Sequence, residues 1–351
     1  MKLTADRRPL ADAAKAVSRF LPTHIDAGLP FAQIHVEAHS GIVALTATDL
    51  TSGRRIEVEA NVAGEGEVLV GDRFPAVLAG AIGDTVELST TTTNLSIASD
   101  ASSWRLPLGD PGDYPKIEVE SDTDKVSVDD WERVRAVAKI ADVPKSPRTE
   151  GLKGAVFEAG VIAATDSYRL AHATFSSDAS HQLALVPGDA MVGLDAEVTA
   201  LHFGERTVHA DVDDGAWWSR LIDPSGYPKW QKLIDGITEA RATIKLDSSD
   251  LTEAIRRAML IGEPDIPLWL EFLGHGVKVF RKLGGEVVFS ETIVGRFEGE
   301  AGLDPVAVNA VFLRSMIESV ARVEIGMVDS FKPIRIRGDS WWAGVLMPVR
   351  T

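Results

Sequence analysis

Side chains that could perform chemistry are few in this 351-residue chain, and their spacing assembles no catalytic site. The absence of cysteine excludes thiolate nucleophiles, disulfides and cysteine-ligated zinc. The eight histidines form no HExxH motif, and His35 and His39, four residues apart, lie in a strand-like run where that spacing does not bring two rings to one metal. Since no GxxxxGK[ST], GxGxxG or GxSxG motif occurs either, we predict no cofactor, no metal and no catalytic residue.

A repeated aspartate is the feature that could support acid–base chemistry. The tripeptide Ala-Thr-Asp ends at Asp49 and again at Asp166. Two carboxylates can act as general acid and base, so a soluble enzyme with an unrecognised carboxylate site is one alternative. Aspartate at a strand end more often caps a turn, and its repetition favours that structural role. We therefore predict that the protein is not an enzyme.

The composition is that of a folded protein. Apolar residues make up 45% of the chain and charged residues 25%, the balance of an ordered domain. No stretch approaches the roughly 18 apolar residues of a membrane span, and the first residues lack a signal-peptide core, so we expect a cytoplasmic protein. The net charge of -16 would repel phosphate if spread evenly, but a basic face can exist within an acidic chain.

The sequence contains an internal repeat. Residues 104–116 (WRLPLGDPGDYPK) return as residues 217–229 (WWSRLIDPSGYPK), with seven identical residues at a constant offset of 113. The two Ala-Thr-Asp segments are 117 residues apart, and Trp341–Trp342 follows Trp217–Trp218 by 124. Three units of roughly 115 residues would therefore fill the chain.

Each unit opens with a predicted amphipathic helix, whose apolar stripe begins near Leu10, Trp131 or Leu251. Alternating, β-branched runs such as 42–48 and 85–99 predict strands. Second, shorter helices are predicted near 74–82, 196–203 and 308–321, and linkers at 115–126 and 228–243. The expected fold class is α+β, with two helices on antiparallel sheets in each of three domains, 1–119, 120–240 and 241–351.

Basic residues recur on the first helix of every unit. Lys15 and Arg19 each project within about 20° of Arg8, opposite the apolar stripe. Any surface helix carries charges opposite its core face, but recurrence in an acidic chain favours one common surface that binds phosphates without reading sequence. The predicted phosphate-facing residues are Arg8, Lys15, Arg19, Arg133, Arg135, Lys139, Arg256, Arg257 and Arg314.

These features resemble a known family, the bacterial DNA polymerase III beta subunit or DNA sliding clamp, in its bacterial or bacteriophage form. Residues 164–171 (ATDSYRLA) are similar to the family's A-T-D-G-H-R-L-A, and residues 347–351 (MPVRT) to its M-P-M-R-L ending. Similar motifs at 47–50, 112–115 and 308–309 extend the resemblance over the whole chain. Ser167 and Tyr168 depart from the family's usual Gly-His.

The resemblance implies a processivity factor of DNA-clamp topology rather than an enzyme. A homodimer would close head to tail into a ring around double-stranded DNA, with a strand carrying Trp104 and Leu106 against Met259 and Leu260 of the neighbouring subunit. A clamp-derived scaffold that does not close is the other alternative. Family members also place DNA contacts near residues 20–30 and 146–151, where this chain offers Arg19, His24, Lys145 and Arg148.

The resemblance further implies a pocket for short peptides from the replicative polymerase, the clamp loader and other clamp-motif proteins. Apolar side chains would form its slot, while Arg169, Lys232 and Arg350 would meet a carboxylate or backbone carbonyls of the peptide. A final core strand at 345–349 is equally consistent, because a strand has two faces. The implied pocket residues are Leu152, Thr165, Ser167, Tyr168, Arg169, Leu170, Pro228, Lys232, Leu233, Phe331, Pro333, Val345, Met347, Pro348, Val349 and Arg350.

Overall fold

The structure, a computed structural model, describes residues 1–22, 29–116, 119–141, 150–176 and 183–350. The chain forms two compact units. Unit 1 comprises Met1–Val128 and Ala190–Leu221, and unit 2 comprises Asp129–Asp189 and Ile222–Thr351. No helix in the described ranges is both long and apolar enough to cross a membrane.

Helices are short and strands are numerous. The α-helices of the described residues are α1 (Arg7–Ser18), α2 (Phe74–Gly80), α3 (Trp131–Ala141), α4 (Gly188–Gly193), α5 (Trp230–Asp235), α6 (Ser248–Ala258) and α7 (Ala310–Ile317). The first eight strands are β1 (Lys2–Asp6), β2 (Ile34–His39), β3 (Ile42–Thr48), β4 (Ser52–Gly64), β5 (Gly66–Val70), β6 (Thr85–Thr90), β7 (Asn94–Ser99) and β8 (Ser102–Gly109). The next eight are β9 (Asp124–Ser127), β10 (Gly154–Glu158), β11 (Val161–Thr165), β12 (Arg169–Thr174), β13 (Ala184–Pro187), β14 (Ala200–Phe203), β15 (Thr207–Asp211) and β16 (Gly215–Arg220). The last nine are β17 (Ala242–Asp247), β18 (Leu268–Leu273), β19 (Gly276–Leu283), β20 (Glu286–Val294), β21 (Arg296–Gly299), β22 (Val306–Val308), β23 (Arg322–Met327), β24 (Ile334–Gly338) and β25 (Trp342–Leu346).

One order of elements occurs three times along the chain. A strand and a helix are followed by four strands, a second helix and three strands, in β1 to β8, in β9 to β16 and in β17 to β25. The third copy carries β21 as an additional strand, and α5 precedes it. Every strand pairing within the described residues is antiparallel, so the predicted α+β fold class is confirmed.

Unit 1 is built on one twelve-stranded sheet with the order β1-β6-β7-β8-β5-β2-β3-β4-β16-β15-β14-β9. The first and second copies of the repeat meet within it, where β4 pairs with β16 and Gly53 lies opposite Trp218. Helix α1 packs on β3 and β4. Its buried residues include Leu10, Ala14 and Val17, as the apolar stripe predicted.

Unit 2 holds a nine-stranded sheet, β13-β10-β11-β12-β25-β24-β23-β17-β21, and a four-stranded sheet, β20-β19-β18-β22. The second and third copies meet where β12 pairs with β25, with Leu170 opposite Val345. Helix α3 packs on β11 and β12, and α6 packs on α7. The pairing of β12 with β25 thus repeats in unit 2 the pairing of β4 with β16 in unit 1.

Two elements differ from the sequence prediction. The second helix of the middle copy is Gly188–Gly193 rather than 196–203, because Leu201 and Phe203 are buried in β14, which pairs with β9 on one side and β15 on the other. The linker predicted at 228–243 contains α5, because Trp230 is buried in an apolar cluster that fixes this short helix.

Candidate functional site

The two Ala-Thr-Asp segments form the same hydrogen-bonded turn. Asp49 Oδ1 accepts a hydrogen bond from the Ser52 N–H at 2.7 Å, and Asp166 Oδ1 accepts one from the Arg169 N–H at 2.9 Å. The threonine before each aspartate donates its hydroxyl to the carbonyl four residues on, at 2.7 and 2.8 Å. The predicted turn-capping role of both aspartates is confirmed by these contacts.

Each turn places a non-glycine residue in the left-handed region of backbone space. Leu50 has φ of 73° and Ser167 has φ of 77°. A side chain in that region costs about 1 to 2 kcal/mol, a strain that glycine avoids. The family pattern that this chain resembles has glycine at the position of Ser167, so the departure seen in the sequence has a definite backbone consequence.

The centre of the implied peptide pocket lies in unit 2, where β12 and β25 pair. The Met347 N–H donates to the Tyr168 carbonyl at 2.8 Å, which extends the ladder past the end of β25. Leu170 and Val345 lie opposite each other and pack into an apolar cluster with Trp230. Tyr168 and Met347 remain 57% and 44% exposed. The structure therefore brings these four implied pocket residues together, with an apolar floor and two exposed side chains beside it.

Helix α5 and the turn after β23 carry further implied residues. Trp230 and Ile234 anchor α5 in the same apolar cluster, while Lys232 and Leu233 stay exposed. Asp329 accepts hydrogen bonds from two backbone N–H groups of its turn, which presents Phe331 at 80% exposure. Pro333 precedes β24, whose Ile334 pairs with Leu346, and the Val349 N–H donates to the Ala307 carbonyl at 2.8 Å. The remaining implied residues are Leu152 in the short 3₁₀ helix Glu150–Lys153, buried Thr165, Pro228 after the short 3₁₀ helix Pro224–Gly226, Pro348 beside Met347, and exposed Arg350.

The Arg169 side chain is buried in unit 2, where it contacts other residues of the same unit rather than solvent. Its side chain is 6% exposed, and Nε donates to Asp166 Oδ2 at 2.8 Å. The guanidinium lies 4.6 Å from the ring centroid of Phe312 and also donates to the Ser315 hydroxyl. The expectation that Arg169 meets a peptide carboxylate thus needs correction, because the group already holds the Asp166 turn against α7. Among the three predicted cations, Lys232 and Arg350 are the exposed ones.

Helix α1 presents exposed cations at Arg8 and Lys15. Among the residues that the structure describes, no carboxylate lies within ion-pair distance of either. Arg19, just past the helix end, pairs with Asp195 at 3.2 Å. Helix α1 therefore carries two exposed cations of the predicted phosphate-facing set, and their contact with phosphate stays a prediction. His24, Lys145 and Arg148 lie outside the described residues.

The cations of α3, α6 and α7 are paired with carboxylates. Helix α3 is buried over more of its surface than its apolar stripe indicated, and the side chain of Arg135 is only 18% exposed. Hydrogen bonds from Arg256 hold the pKa of Glu253 below its usual value, and those from Arg257 do the same for Glu291. These faces are of mixed charge and can hold phosphate only weakly. The ion pairs are Arg133–Asp130 at 3.2 Å, Arg135–Glu132 at 2.7 Å, Lys139–Glu318 at 3.5 Å, Arg256–Glu253 at 2.8 Å, Arg257–Glu291 at 2.7 Å and Arg314–Glu318 at 3.9 Å.

Each unit contains a strand edge at the implied subunit contact. In unit 1, Trp104 and Leu106 lie on β8, which pairs with β7 along its length but with β5 only at its end. In unit 2, β20 is the outer strand of the four-stranded sheet, and α6 ends at Met259 beside Leu260, which is 75% exposed. Open edges that bear apolar side chains are normally protected by pairing.

Sequence reasoning missed one cluster that could hold a metal ion, formed by His35, Glu37 and Glu67. It was missed because Glu67 comes from β5, which pairs with β2 far along the chain. His35 Nε2 lies 2.8 Å from a Glu67 oxygen, and Arg55 forms an ion pair with Glu37. These contacts satisfy the cluster without an ion.

No protein-family model matches the chain. The beta sliding clamp of Streptomyces coelicolor is 25% identical over 384 aligned positions, covering 100% of this chain and 99% of that clamp. Among solved structures, the DNA polymerase III beta subunit of Thermotoga maritima is similar with a TM-score of 0.78 and 21% identity, covering 100% of this chain and 99% of that one. The Helicobacter pylori beta clamp, solved bound to a DNA ligase peptide, is similar with a TM-score of 0.77 and 20% identity, and each chain is covered fully. The structural likeness establishes the fold, and the whole-length sequence similarity confirms the resemblance to sliding clamps.

Proposed function

We propose that this chain, which has the sliding-clamp fold and is similar to beta sliding clamps from end to end, is itself a DNA sliding clamp. It encircles duplex DNA and tethers the replicative polymerase to it. The observation that carries the proposal is the threefold order of elements over a fold that matches a DNA polymerase III beta subunit along the full chain. The three copies correspond to domains 1–119, 120–240 and 241–351.

The ring consists of two chains joined head to tail. The open edge of β8, with Trp104 and Leu106, pairs with the third copy of the partner subunit near Leu260. Support comes from two strands with unpaired edges: β8, where Trp104 and Leu106 are half-buried, and β20, which carries exposed apolar residues such as Val294. Two chains joined by this heterologous contact would form a ring of six copies of the unit.

Retention on DNA is topological in this proposal, so the protein needs no tight DNA contacts. Arg8 and Lys15 supply free cations, while the paired cations of α3 and α6 supply weak contacts that do not read sequence. The carboxylates of Asp49 and Asp166 accept hydrogen bonds from backbone N–H groups of their own turns, which argues against catalysis at these groups. The protein acts in the cytoplasm as an accessory factor, and a clamp loader driven by ATP opens the ring.

Partners bind through the pocket around Tyr168, Leu170, Val345 and Met347. The binding of a DNA ligase peptide by the Helicobacter pylori clamp supports this role. An apolar floor with exposed apolar walls suits a short extended motif whose side chains enter a slot. The replicative polymerase, the clamp loader and other clamp-motif proteins would compete for it, and Arg169 positions the turn that forms one wall.

The test is retention on DNA of defined topology. Protein loaded onto nicked circular DNA is expected to remain bound, and to dissociate when a restriction enzyme linearises the circle. Native mass spectrometry is expected to give two chains. Equal retention on circular and linear DNA would contradict a ring, and a single-chain mass would favour the scaffold that does not close.

A further inference from the structure

We propose that unit 1 contains a second peptide-binding groove, the internal-repeat counterpart of the pocket in unit 2, which takes a short extended peptide with an acidic residue beside an apolar one. The groove is a cavity of about 970 Å³, within the range of ligand pockets. The inference rests on the proposed function in one respect, since the pocket in unit 2 supplies the template for the ligand class.

The groove of unit 1 and the pocket of unit 2 both contain the turn that follows the repeated Ala-Thr-Asp sequence. Thr48 and Leu50 line the groove, and the offset of 117 relates them to Thr165 and Ser167 of the implied pocket. Leu50 and Ser167 share the left-handed backbone conformation. The same turn therefore forms one wall in each unit.

The second correspondence is the strand that pairs beside this turn. The Arg220 N–H donates to the Thr51 carbonyl at 2.8 Å, as the Met347 N–H donates to the Tyr168 carbonyl at 2.8 Å. Arg220 and the following Leu221 line the groove. They therefore occupy the places that Met347 and Pro348 take in unit 2.

The third correspondence is the segment after the Tyr-Pro-Lys sequence. Pro115 and Val119 line the groove, and the offset of 113 relates them to Pro228 and Lys232. The tyrosine before each proline donates its hydroxyl to a backbone carbonyl at 3.2 Å, so both segments leave their sheets in the same way. Three independent chain segments thus repeat the architecture of the pocket around one cavity.

The lining of the groove combines apolar side chains with a flat aromatic floor. Leu50 and Val119 are 44% and 39% exposed within it. The Trp218 indole lies directly over Gly53, where an added Cβ would overlap the ring. In unit 2 the equivalent floor is made by Leu170 and Val345. An apolar peptide side chain would therefore find a slot in both places.

The charges of the groove select a different peptide from that of unit 2. Arg220 stands where unit 2 has Met347, and Arg206 is 83% exposed beside it on the turn before β15. In the described chain, no carboxylate pairs with Arg220 or with Lys116 at the opposite wall. Glu120 is already held by two backbone N–H groups of the Arg206 turn. Arg206 lies 3.6 Å from Glu120, and Asp122 and Glu205 also line the cavity. Arg220, unpaired in the described chain and at the position of Met347, is therefore the cation that the proposal assigns to an acidic peptide residue.

The test selects hexapeptides from a random phage-displayed library on full-length protein. The pocket in unit 2 is first weakened by Tyr168→Ala and Met347→Ala at two exposed positions, and circular dichroism checks that the double variant is folded. Enriched hexapeptides are synthesised with a fluorescein label and titrated by anisotropy. We expect an acidic residue next to an apolar one, and a loss of at least tenfold in affinity on Arg220→Glu or Leu50→Asp. A charge-matched control, Arg296→Glu at a 79% exposed side chain, is expected to change nothing.

Charge exchange gives the sharpest outcome. Replacing the acidic residue of the selected hexapeptide by lysine is expected to restore affinity for Arg220→Glu and to abolish it for the parent protein. Failure to enrich any hexapeptide, or affinities that Arg220→Glu and Leu50→Asp leave unchanged, would overturn the proposal. Titration of the DNA ligase peptide on the parent protein is run in parallel. If that peptide fails to bind while the hexapeptide binds, the pocket of unit 2 is wrong and the groove stands.

Discussion

Arg281 offers the most informative perturbation, because a buried guanidinium here has no carboxylate partner within hydrogen-bond distance in the described structure. The residue lies on β19 and is 0% exposed. Its two terminal nitrogens donate at 2.6 to 3.2 Å to backbone carbonyls at the last residue of α6 and in the segment that follows it. That segment presents Leu260 to solvent at the proposed subunit contact. The acceptors are the carbonyls of Ala258, Ile261, Glu263 and Ile266.

The expected effect of Arg281→Met follows from these four hydrogen bonds. Each bond from a charged donor contributes about 1.5 to 3 kcal/mol, and burial of the charge offsets several kcal/mol of the total. Methionine keeps most of the aliphatic volume but removes the Arg281 donor from four carbonyls. Among the described residues, those of Ala258 and Glu263 keep a backbone N–H donor and those of Ile261 and Ile266 do not. We therefore expect the free energy of unfolding of unit 2 to fall by about 3 to 5 kcal/mol, and the segment after α6 to open before the sheet does.

Urea denaturation of Arg281→Met and of the parent chain measures the loss, and hydrogen exchange of residues 259–266 localises it. Native mass spectrometry at low concentration is expected to show more single chains, because Leu260 is no longer held in place. Arg296→Met, at a 79% exposed side chain, is the control and should change stability by less than about 0.5 kcal/mol. A loss under about 1 kcal/mol with unchanged exchange in 259–266 would refute the role of Arg281.

Four further predictions concern other parts of the chain. Ser167→Gly relieves the left-handed strain and should raise stability by about 1 kcal/mol in thermal unfolding, whereas alanine there should not. Burial, and then the charge of the stacked His202 imidazole, lower the pKa of His209 from 6.5. The unfolded chain therefore binds the proton at a higher pH than the folded chain does, and the free energy of unfolding falls as the pH drops below 6.5. His209→Phe should flatten this dependence of stability on pH. Met347→Asp is expected to abolish binding of the DNA ligase peptide in calorimetry while the native mass stays dimeric; undiminished affinity would remove Met347 from the pocket. The double substitution Glu253→Gln and Glu291→Gln removes the carboxylate partners of Arg256 and Arg257. Because two more cations can then contact phosphate, a plot of log affinity for linear DNA against log salt concentration should steepen by about 2 per chain.

Much of the fold could be predicted from sequence, because the residues that form its helix faces and its turns lie close together in the chain. The apolar stripe of α1 is long enough to fix a helix face, and Asp49 and Asp166 end their strands in turns that their side chains close. Helix α4, six residues long, has no stripe to detect. Helix α5 exists because Trp230 packs into the cluster around Leu170, a contact between segments far apart in the chain. Short elements of this kind are decided by tertiary packing rather than by local pattern.

The candidate site, like the fold, could be predicted from sequence only in part. Residue types in the implied pocket of unit 2 followed from the resemblance, but the exposure of each side chain did not. Arg169 could not be placed from sequence, because its partners Phe312 and Ser315 belong to a helix of the third copy. The ion pair of Arg257 was equally hidden, since Glu291 comes from β20. Sequence gives the identity of a charge, and only the fold gives the neighbour that neutralises it.

Those neighbours bear on the conflict between the acidic net charge of the chain and the DNA partner of the proposed function. Of the nine cations predicted to face phosphate, Arg8 and Lys15 are the two with no carboxylate beside them in the described chain, and the other seven are in ion pairs. A paired cation must exchange its partner to bind phosphate, so each contact is weak and easily broken. Contacts that break easily let a protein move along DNA, while a closed ring prevents its escape. In the proposed function, a net charge of -16 would favour sliding, since topology rather than affinity would keep the protein on DNA.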